Sequence, residues 1–358
     1  MNWPAHGSNP QYLFSALKLP MPDKKIDFSA NINPLGPPPI LKEKWNQLFL
    51  ALSDYPDPLG YELKKKLSEK EKIEESHILI GNGGAELIAL IGRILTGKRA
   101  IIVQPAFSEY EEACRVNSCA VEYHQLMPDQ WELGIEELAA KLGNKDALFL
   151  CNPCNPTGVY YSQSTLIELI KECERQDCLC IIDEAFYDFL SEYESIIPYI
   201  HEFSNLIVIR SMTKMFAIPG LRLGYLMANP SIINQLAASQ PHWSVNSLAL
   251  SAGEWCIESE AHIRATRDLI QNERERLFRF YKEKEFVVSP SLVNFYLLKD
   301  PIIVDQMPLF QFLITKGIIP RHTMNFPGLQ GRWLRFAIKS PNENDRLMEA
   351  MEEWRNRL

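Results

Sequence analysis

Several reactive residue types crowd into one short segment, Ser211-Met-Thr213-Lys214-Met-Phe-Ala-Ile-Pro-Gly220-Leu-Arg222-Leu-Gly224-Tyr. It follows an apolar run over 205–210 that reads as a strand. A lysine at a strand end in apolar company loses hydration, and desolvation lowers the pKa of an amine. The neutral amine can attack a carbonyl and form an imine. Ser211 and Thr213 add hydroxyls and Arg222 a guanidinium fork, a set suited to a phosphate. Ser-x-x-Lys also opens the acyl-serine motif of penicillin-binding proteins. That chemistry needs Ser-Asp-Asn-like and Lys-Thr-Gly-like partners, and neither tripeptide occurs here.

Three further segments stand at strand ends. An apolar run over 178–182 leads into Asp183-Glu-Ala-Phe186. An acid at the end of a buried strand sits where open α/β sheets bind ligands. A carboxylate there can keep a pyridinium nitrogen protonated, so that the ring acts as an electron sink; the plainer alternative is a helix N-cap. In Asn152-Pro-Cys-Asn155-Pro-Thr-Gly158, Asn155 can donate an amide hydrogen bond to a ring hydroxyl, or the segment is an ordinary turn. In Gly81-Asn-Gly83-Gly84-Ala-Glu86, small residues let backbone N–H groups approach a phosphate at a helix N-terminus. The glycine pattern is not Gly-x-Gly-x-x-Gly, so a dinucleotide fold is unsupported. Phe107, after Pro105, can stack on a flat ring or simply join the core.

Each segment alone is ordinary, but their order is not. Together they resemble the fold-type I pyridoxal-phosphate enzymes of the class I/II aminotransferase family, over nearly the whole chain. The resemblance implies pyridoxal 5'-phosphate (PLP) carried as a Schiff base on Lys214. It implies Asp183 at the pyridine nitrogen, Asn155 at the ring oxygen and Phe107 stacked on the ring. Gly83, Gly84, Ser211, Thr213 and Arg222 are then the contacts of the cofactor phosphate. Tyr55, in Tyr-Pro-Asp-Pro, matches a tyrosine that reaches the neighbouring subunit's cofactor. Arg335 matches the arginine that binds a substrate α-carboxylate. A homodimer with active sites at the subunit interface is implied too.

Two branches share this skeleton: histidinol-phosphate aminotransferases and the threonine-phosphate decarboxylases of cobalamin biosynthesis. His6-Gly-Ser-Asn9, Asp27-Phe-Ser-Ala-Asn31-Ile-Asn33-Pro-Leu-Gly-Pro37, Phe107-Ser-Glu-Tyr110, Trp243-Ser-Val-Asn246 and Asn325-Phe-Pro-Gly328 resemble the decarboxylase branch. Phe186 stands where most aminotransferases place a tyrosine. Tyr187 is a poor substitute, because neighbours on a strand point to opposite faces. Both branches act on phosphate monoesters, and His6, Asn31 and Arg321 match positions suited to hold one, the guanidinium best of all. Decarboxylation of L-threonine O-3-phosphate is therefore expected, with histidinol-phosphate transamination as the alternative. A third reading, a PLP-binding regulator, would need a DNA-binding helix-turn-helix ahead of the skeleton; here the skeleton starts almost at residue 1, so an enzyme is expected.

These segments need a scaffold that brings strand ends together. Apolar runs over 77–80, 100–103, 120–124, 147–151, 178–182, 205–210 and 224–227 alternate with helical patterns over 85–95, 109–117, 135–142 and 162–175. This predicts an α/β fold with a mostly parallel central sheet in a large domain, and a smaller α+β domain. Helical spacing also covers 41–52 and 59–72. Residues 1–40, rich in Pro, Asn and Gly, are expected as an arm without regular elements that joins the small domain. The large domain is expected over 41–245 and the small one over 246–358. The small domain should hold an interrupted helix over 247–286, a β-like stretch over 286–298, a helix over 306–316 followed by the stretches 318–321 and 333–338, and a last helix over 343–355.

Composition narrows the partners. Across 358 residues the net charge is −8, with acids and bases mixed along the chain. That argues against nucleic acid or an anionic membrane as the main partner and leaves an anionic small substrate open; the resemblance implies that this partner is a small phosphorylated amino acid. No secretory signal and no membrane-length apolar run is visible, so a cytoplasmic location is expected. The eight cysteines read as reduced thiols. Cys151-x-x-Cys154 lacks a second ligand pair for zinc. Cys154, which departs from a commoner asparagine, is expected to face away from the ring.

Overall fold

The computed structural model describes residues 3–4 and 6–357; positions 1, 2, 5 and 358 of the chain lie outside the described residues. A short strand, β1 (Ile26–Asp27), comes first. Seven strands follow: β2 (Ile78–Gly81), β3 (Arg99–Gln104), β4 (Ala120–Gln125), β5 (Ala147–Cys151), β6 (Leu179–Asp183), β7 (Leu206–Ser211) and β8 (Gly224–Ala228). They form one sheet in the order β2-β8-β7-β6-β5-β3-β4. Every pairing is parallel except those of β8, which runs against both β2 and β7. The interior strands β5, β7 and β8 are buried along their whole length, which is why they read as unbroken apolar runs. The edge strand β4 alternates exposed and covered residues instead.

Helices cover both faces. The helix Gly83–Ile94 buries Leu87, Ile88, Leu90 and Ile91, an i, i+1, i+3, i+4 stripe, against the sheet. The helix Gln163–Arg175 covers the other face with Leu166, Leu169, Ile170 and Cys173, and Ser162 caps it by accepting from the Thr165 N–H. Among the described residues no helix is long and apolar enough to cross a membrane.

Five strands close the list: β9 (Val287–Val288), β10 (Phe295–Lys299), β11 (Ile318–Ile319), β12 (Arg321–His322) and β13 (Leu334–Ala337). Four make an antiparallel sheet, β12-β13-β10-β9, and β11 pairs in parallel with β1. The seven-stranded sheet thus falls inside 41–245 and the four-stranded sheet inside 246–358.

Three expectations need correction. The first forty residues contain the helix Pro10–Leu17 as well as β1. The helix buries Leu13 and Phe14, an apolar pair hidden in the Pro/Asn-rich context. The β-like stretch over 286–298 is two strands, because Pro290 and two serines intervene. Ser289 Oγ donates to Thr157 O at 2.6 Å and Ser291 Oγ to Phe295 O at 2.5 Å, which ties the turn down. The helix over 41–52 is divided into Pro39–Glu43 and Trp45–Leu50. The expected interruption within 247–286 falls between the helices Ser247–Ile257 and Glu260–Glu283.

Candidate active site

The parallel strands all end at one edge of the sheet, and their following loops carry the segments singled out above. β2 leads to Gly83 and Gly84, β3 to Phe107, β5 to Asn155, β6 ends on Asp183, and β7 leads to Lys214. The reversed strand β8 begins at that same edge, with Gly224 opposite both Gly81 and Ser211. That reversal lets Arg222, just ahead of β8, join a set otherwise supplied by strand ends. The strand order reverses between the parallel neighbours β3 and β5, where open sheets form their ligand crevice.

A cavity of about 320 Å³ opens there. Twelve of the fourteen expected site residues line it: His6, Asn31, Gly84, Phe107, Asn155, Asp183, Ser211, Thr213, Lys214, Arg222, Arg321 and Arg335. Gly83 lies directly behind the wall. Its φ is +76°, and a Cβ there would sit 2.5 Å from an Arg222 Nη atom. Glycine therefore serves both the left-handed turn and the packing of the arginine. At Gly84 a Cβ would meet nothing within 4 Å, so this backbone faces open space at the start of the helix Gly83–Ile94. Tyr55 is not in the cavity: it is 84% exposed, with its ring 5.3 Å from that of Trp243.

The Lys214 amine makes no hydrogen bond or ion pair among the described residues, and it is pushed down to about 8. Burial is the first cause; the nearby positive charges of Arg222 and Arg335 add to it, and Asp183 opposes it. Ser211 and Thr213 hydroxyls lie 2.8 Å apart. Arg222 adopts φ +59°, a strained backbone for a branched-free but bulky residue, costing about 1–3 kcal/mol. Such strain persists where the surroundings hold the residue, here Gly83 behind it and the carbonyl of Pro219, which accepts from Nη1 at 3.2 Å.

Asp183 is buried and doubly held. Tyr110 donates to Oδ2 at 2.6 Å, and the Ala185 N–H donates to Oδ1 at 2.9 Å. Burial nevertheless raises its pKa against those bonds and against the pull of Lys214. A cation beside it would favour the carboxylate form. Glu184, the next residue, points the other way, as alternation on a strand end demands. It pairs at 2.9 Å with Arg210, which is also paired at 2.7 Å with Glu71. In the Asp-Glu dyad the first acid faces the cavity and the second belongs to a buried ion triad.

Arg335 and Arg321 lie directly across from each other on β13 and β12. Like charges at opposed positions repel, and both side chains are buried. Arg335 donates to Asn155 Oδ1 at 2.5 Å and to Ser29 O at 2.7 Å. Burial, with Arg321 adding to it, pushes the Arg335 pKa down to about 9; burial pushes that of Arg321 down to about 10. Arg321 donates to Asn325 Oδ1 at 2.8 Å and to Pro4 O at 3.2 Å. With its Oδ1 engaged by Arg335, Asn155 presents its NH₂ as the remaining donor. Asn31 is buried, and its Oδ1 has no partner among the described residues. His6 reaches the cavity wall, but its Nε2 is 3.0 Å from Glu109 Oε1.

Residues 23–351 match the family described as aminotransferase class I and II. The chain belongs to that family. Along 350 residues, 97% of this chain and 95% of the relative, it is 35% identical to a threonine-phosphate decarboxylase from Salmonella typhimurium. Its fold matches the histidinol-phosphate aminotransferase from Clostridium acetobutylicum with a TM-score of 0.87 at 30% identity, covering 92% of this chain and 99% of that one. It matches the L-threonine-O-3-phosphate decarboxylase from Porphyromonas gingivalis with a TM-score of 0.81 at 25% identity, covering 91% and 98%.

The cofactor of this family is PLP, and the cavity of this aminotransferase-family chain suits it. One wall offers an anion cradle of Gly84 backbone, two hydroxyls and Arg222; another offers the buried Asp183; a low-pKa amine stands between them. These are the donor and acceptor types that a phosphate, a pyridine nitrogen and an aldehyde require.

Phe186 lines the cavity with its ring 4.7 Å from that of Phe295. Tyr187 turns away and lies under Arg210, whose guanidinium carbon is 3.4 Å from the ring centroid. The two side chains do diverge, but on a tight 3₁₀ turn (Tyr187–Phe189), not on a strand. Cys154 is buried outside the cavity, its thiol 3.4 Å from Pro105 O. All eight cysteines are unpaired and buried.

Sequence reasoning assigned no role to Tyr110, Ser29 or Asn33. Tyr110 stands three residues after Phe107 at a helix start, a spacing that places both on one side. Ser29 contributes a backbone carbonyl, which no residue type announces. The buried Asn33 side chain donates to Met215 O at 2.7 Å while its N–H donates to Lys214 O at 3.1 Å, so it braces the lysine segment.

Proposed function

We propose that this protein decarboxylates L-threonine O-3-phosphate to (R)-1-amino-2-propanol O-2-phosphate and CO₂, a step of cobalamin biosynthesis. The observation that carries this reading is the opposed pair Arg321 and Arg335 in one cavity wall. A small substrate bearing both a carboxylate and a phosphate matches two guanidinium groups held side by side. Histidinol phosphate offers a phosphate and an imidazole but no carboxylate. The 35% identity to a relative named threonine-phosphate decarboxylase supports the same reading.

In this reading PLP is held by Lys214, with Asp183 at the pyridine nitrogen, Asn155 at the ring oxygen and Phe107 against the ring. Gly83, Gly84, Ser211, Thr213 and Arg222 hold its phosphate. When bound, the cofactor supplies a sink for the electron pair left on Cα after a bond to it breaks. Asp183, shielded from water and held by Tyr110, presents a fixed negative charge. Arg335, itself fixed by Asn155 and Ser29, grips the carboxylate and sets its direction. Arg321 takes the phosphate, with Asn31 and His6 at the same end. The Cα–carboxylate bond breaks, CO₂ leaves, and Lys214 delivers one proton to Cα. An amine whose pKa lies near 8 can hold and release that proton near neutrality. Phe186 brings no hydroxyl to the ring, in keeping with a site that departs from the aminotransferase pattern.

The enzyme is also proposed to be a cytoplasmic homodimer in which Tyr55 of one subunit completes the other's site. The deciding assay is product analysis of PLP-loaded protein with threonine phosphate. CO₂ release independent of 2-oxoglutarate is expected. Amino-group transfer from histidinol phosphate to 2-oxoglutarate, with no CO₂ from threonine phosphate, would replace this reading with the aminotransferase one.

A further inference from the structure

A second cluster of ligand-type side chains lies at the opposite end of the central sheet. Glu74, His77 and His201 each turn one donor atom toward a common point, and those atoms lie within 4.8 Å of one another. Glu74 Oε2 is 3.3 Å from His77 Nδ1 and 3.7 Å from His201 Nε2. The two imidazole rings meet edge to face with centroids 4.8 Å apart. His77 closes the 3₁₀ turn that enters β2, and His201 closes the 3₁₀ turn (Ile197–His201) before β7. β2 and β7 are not neighbours: β8 runs between them, with Met227 beside Ile78 and Ala228 beside Ile207. The cluster therefore bridges the end of β8 and joins segments remote in sequence.

The donor set selects its ligand. Two imidazole nitrogens and one carboxylate oxygen suit a zinc-class divalent ion; calcium and magnesium prefer all-oxygen shells. In a tetrahedral site with bonds of about 2.0–2.1 Å, neighbouring donors stand roughly 3.3 Å apart. The two Glu74 contacts are already near that separation. His77 is largely buried and fixed by its turn, while His201 and Glu74 are exposed enough to close the remaining gap by side-chain rotation. The bland alternative is a carboxylate that merely hydrogen-bonds two histidines. It leaves unexplained why both rings converge on one oxygen from separate turns.

We propose that Glu74, His77 and His201 form a three-ligand site for a zinc-class ion, with solvent in the fourth position, that staples the entries of β2 and β7. Lying away from the strand ends that carry Lys214, it acts on stability and leaves the chemistry untouched.

The test uses PLP-loaded protein freed of metal. Zinc titrated by calorimetry should bind at one equivalent per chain, raise the melting temperature, and give way to cobalt with the visible absorption of a four-coordinate ion. His201→Ala and Glu74→Gln should each weaken binding at least tenfold and abolish the thermal shift, with turnover in the absence of zinc unchanged. Because His201 is exposed, its replacement should not disturb folding; His201→Asn serves as a second variant of similar size. Absence of zinc binding to the native chain, or binding of equal strength in the variants, would overturn the proposal.

Discussion

Lys214 sits among cations and apolar walls, and its chemistry should show that in its pH dependence. Its pKa in the folded chain, about 8, is depressed from the ordinary 10.5. The neutral, reactive amine is therefore the minor form below pH 8 and the major form above it. Capture of an aldehyde by cofactor-free protein should quicken as pH rises and level off above about pH 8, followed by absorbance after rapid mixing. The stability term has the matching sign: between pH 10.5 and 8 the unfolded chain binds more protons, so this lysine's contribution is present at high pH and lost as pH falls through that window. A profile levelling off only near pH 10.5 would contradict the buried setting described here. The opposed arginines make a separate prediction. Arg321→Met should remove a charge-assisted contact worth about 2–5 kcal/mol, hence roughly 30-fold or more in kcat/KM for the phosphorylated substrate. Threonine without its phosphate should be turned over equally poorly by both proteins. At this scale the sequence was widely legible, because Lys214, Asp183, Asn155 and Arg222 each follow a recognisable strand or turn. Ser29 and Asn33 were not, since they act through a carbonyl and through bonds to remote backbone.

The reversed strand β8 is the element on which the cradle depends. It could be read as a strand from its apolar run, but its direction could not, because the twelve residues between Ser211 and Gly224 do not state which way the chain turns. Its direction follows from register: Gly224 must lie between Gly81 and Ser211, and a Cβ there would come within 2.9 Å of Arg210 O and 3.2 Å of Gly84 N. Gly224→Ala should push β8 away from both neighbours. Weaker retention of PLP during gel filtration and a lower melting temperature are expected. Full cofactor retention would mean that the cradle tolerates a wider seam. The short helix Pro10–Leu17 escaped notice for a different reason. Its two buried apolar residues are too few to raise a periodic signal, and tertiary packing decides the matter.

Considered whole, the chain shows an apolar surface that a lone molecule rarely carries. Trp45, Phe49, Leu50, Leu52, Tyr55, Leu59 and Trp243 are all exposed, and such patches mark interaction sites. If the proposed homodimer covers them, native protein should sediment at twice the chain mass. Leu52→Asp should shift it toward monomer and weaken PLP retention, because Tyr55 would no longer reach a neighbouring site. A monomeric native protein with full activity would refute that arrangement. Nothing in the linear pattern distinguished these apolar residues from core, since helical spacing is the same whether the covering surface is intramolecular or a partner.

The eight buried thiols carry a consequence of another kind. They are spread from Cys114 to Cys256, on both faces of the sheet, and none is open to solvent. A thiol-specific dye can reach them only when the surrounding structure opens, so the labelling of each reports the frequency of its own local opening. The native molecule thus contains a set of clocks. Cys151, between Tyr110 and Asp183 at the cavity floor, should run slower once the cofactor is in place, while Cys256 in the helix Ser247–Ile257 keeps its own time. Site-resolved mass spectrometry of the labelled chain would read both at once.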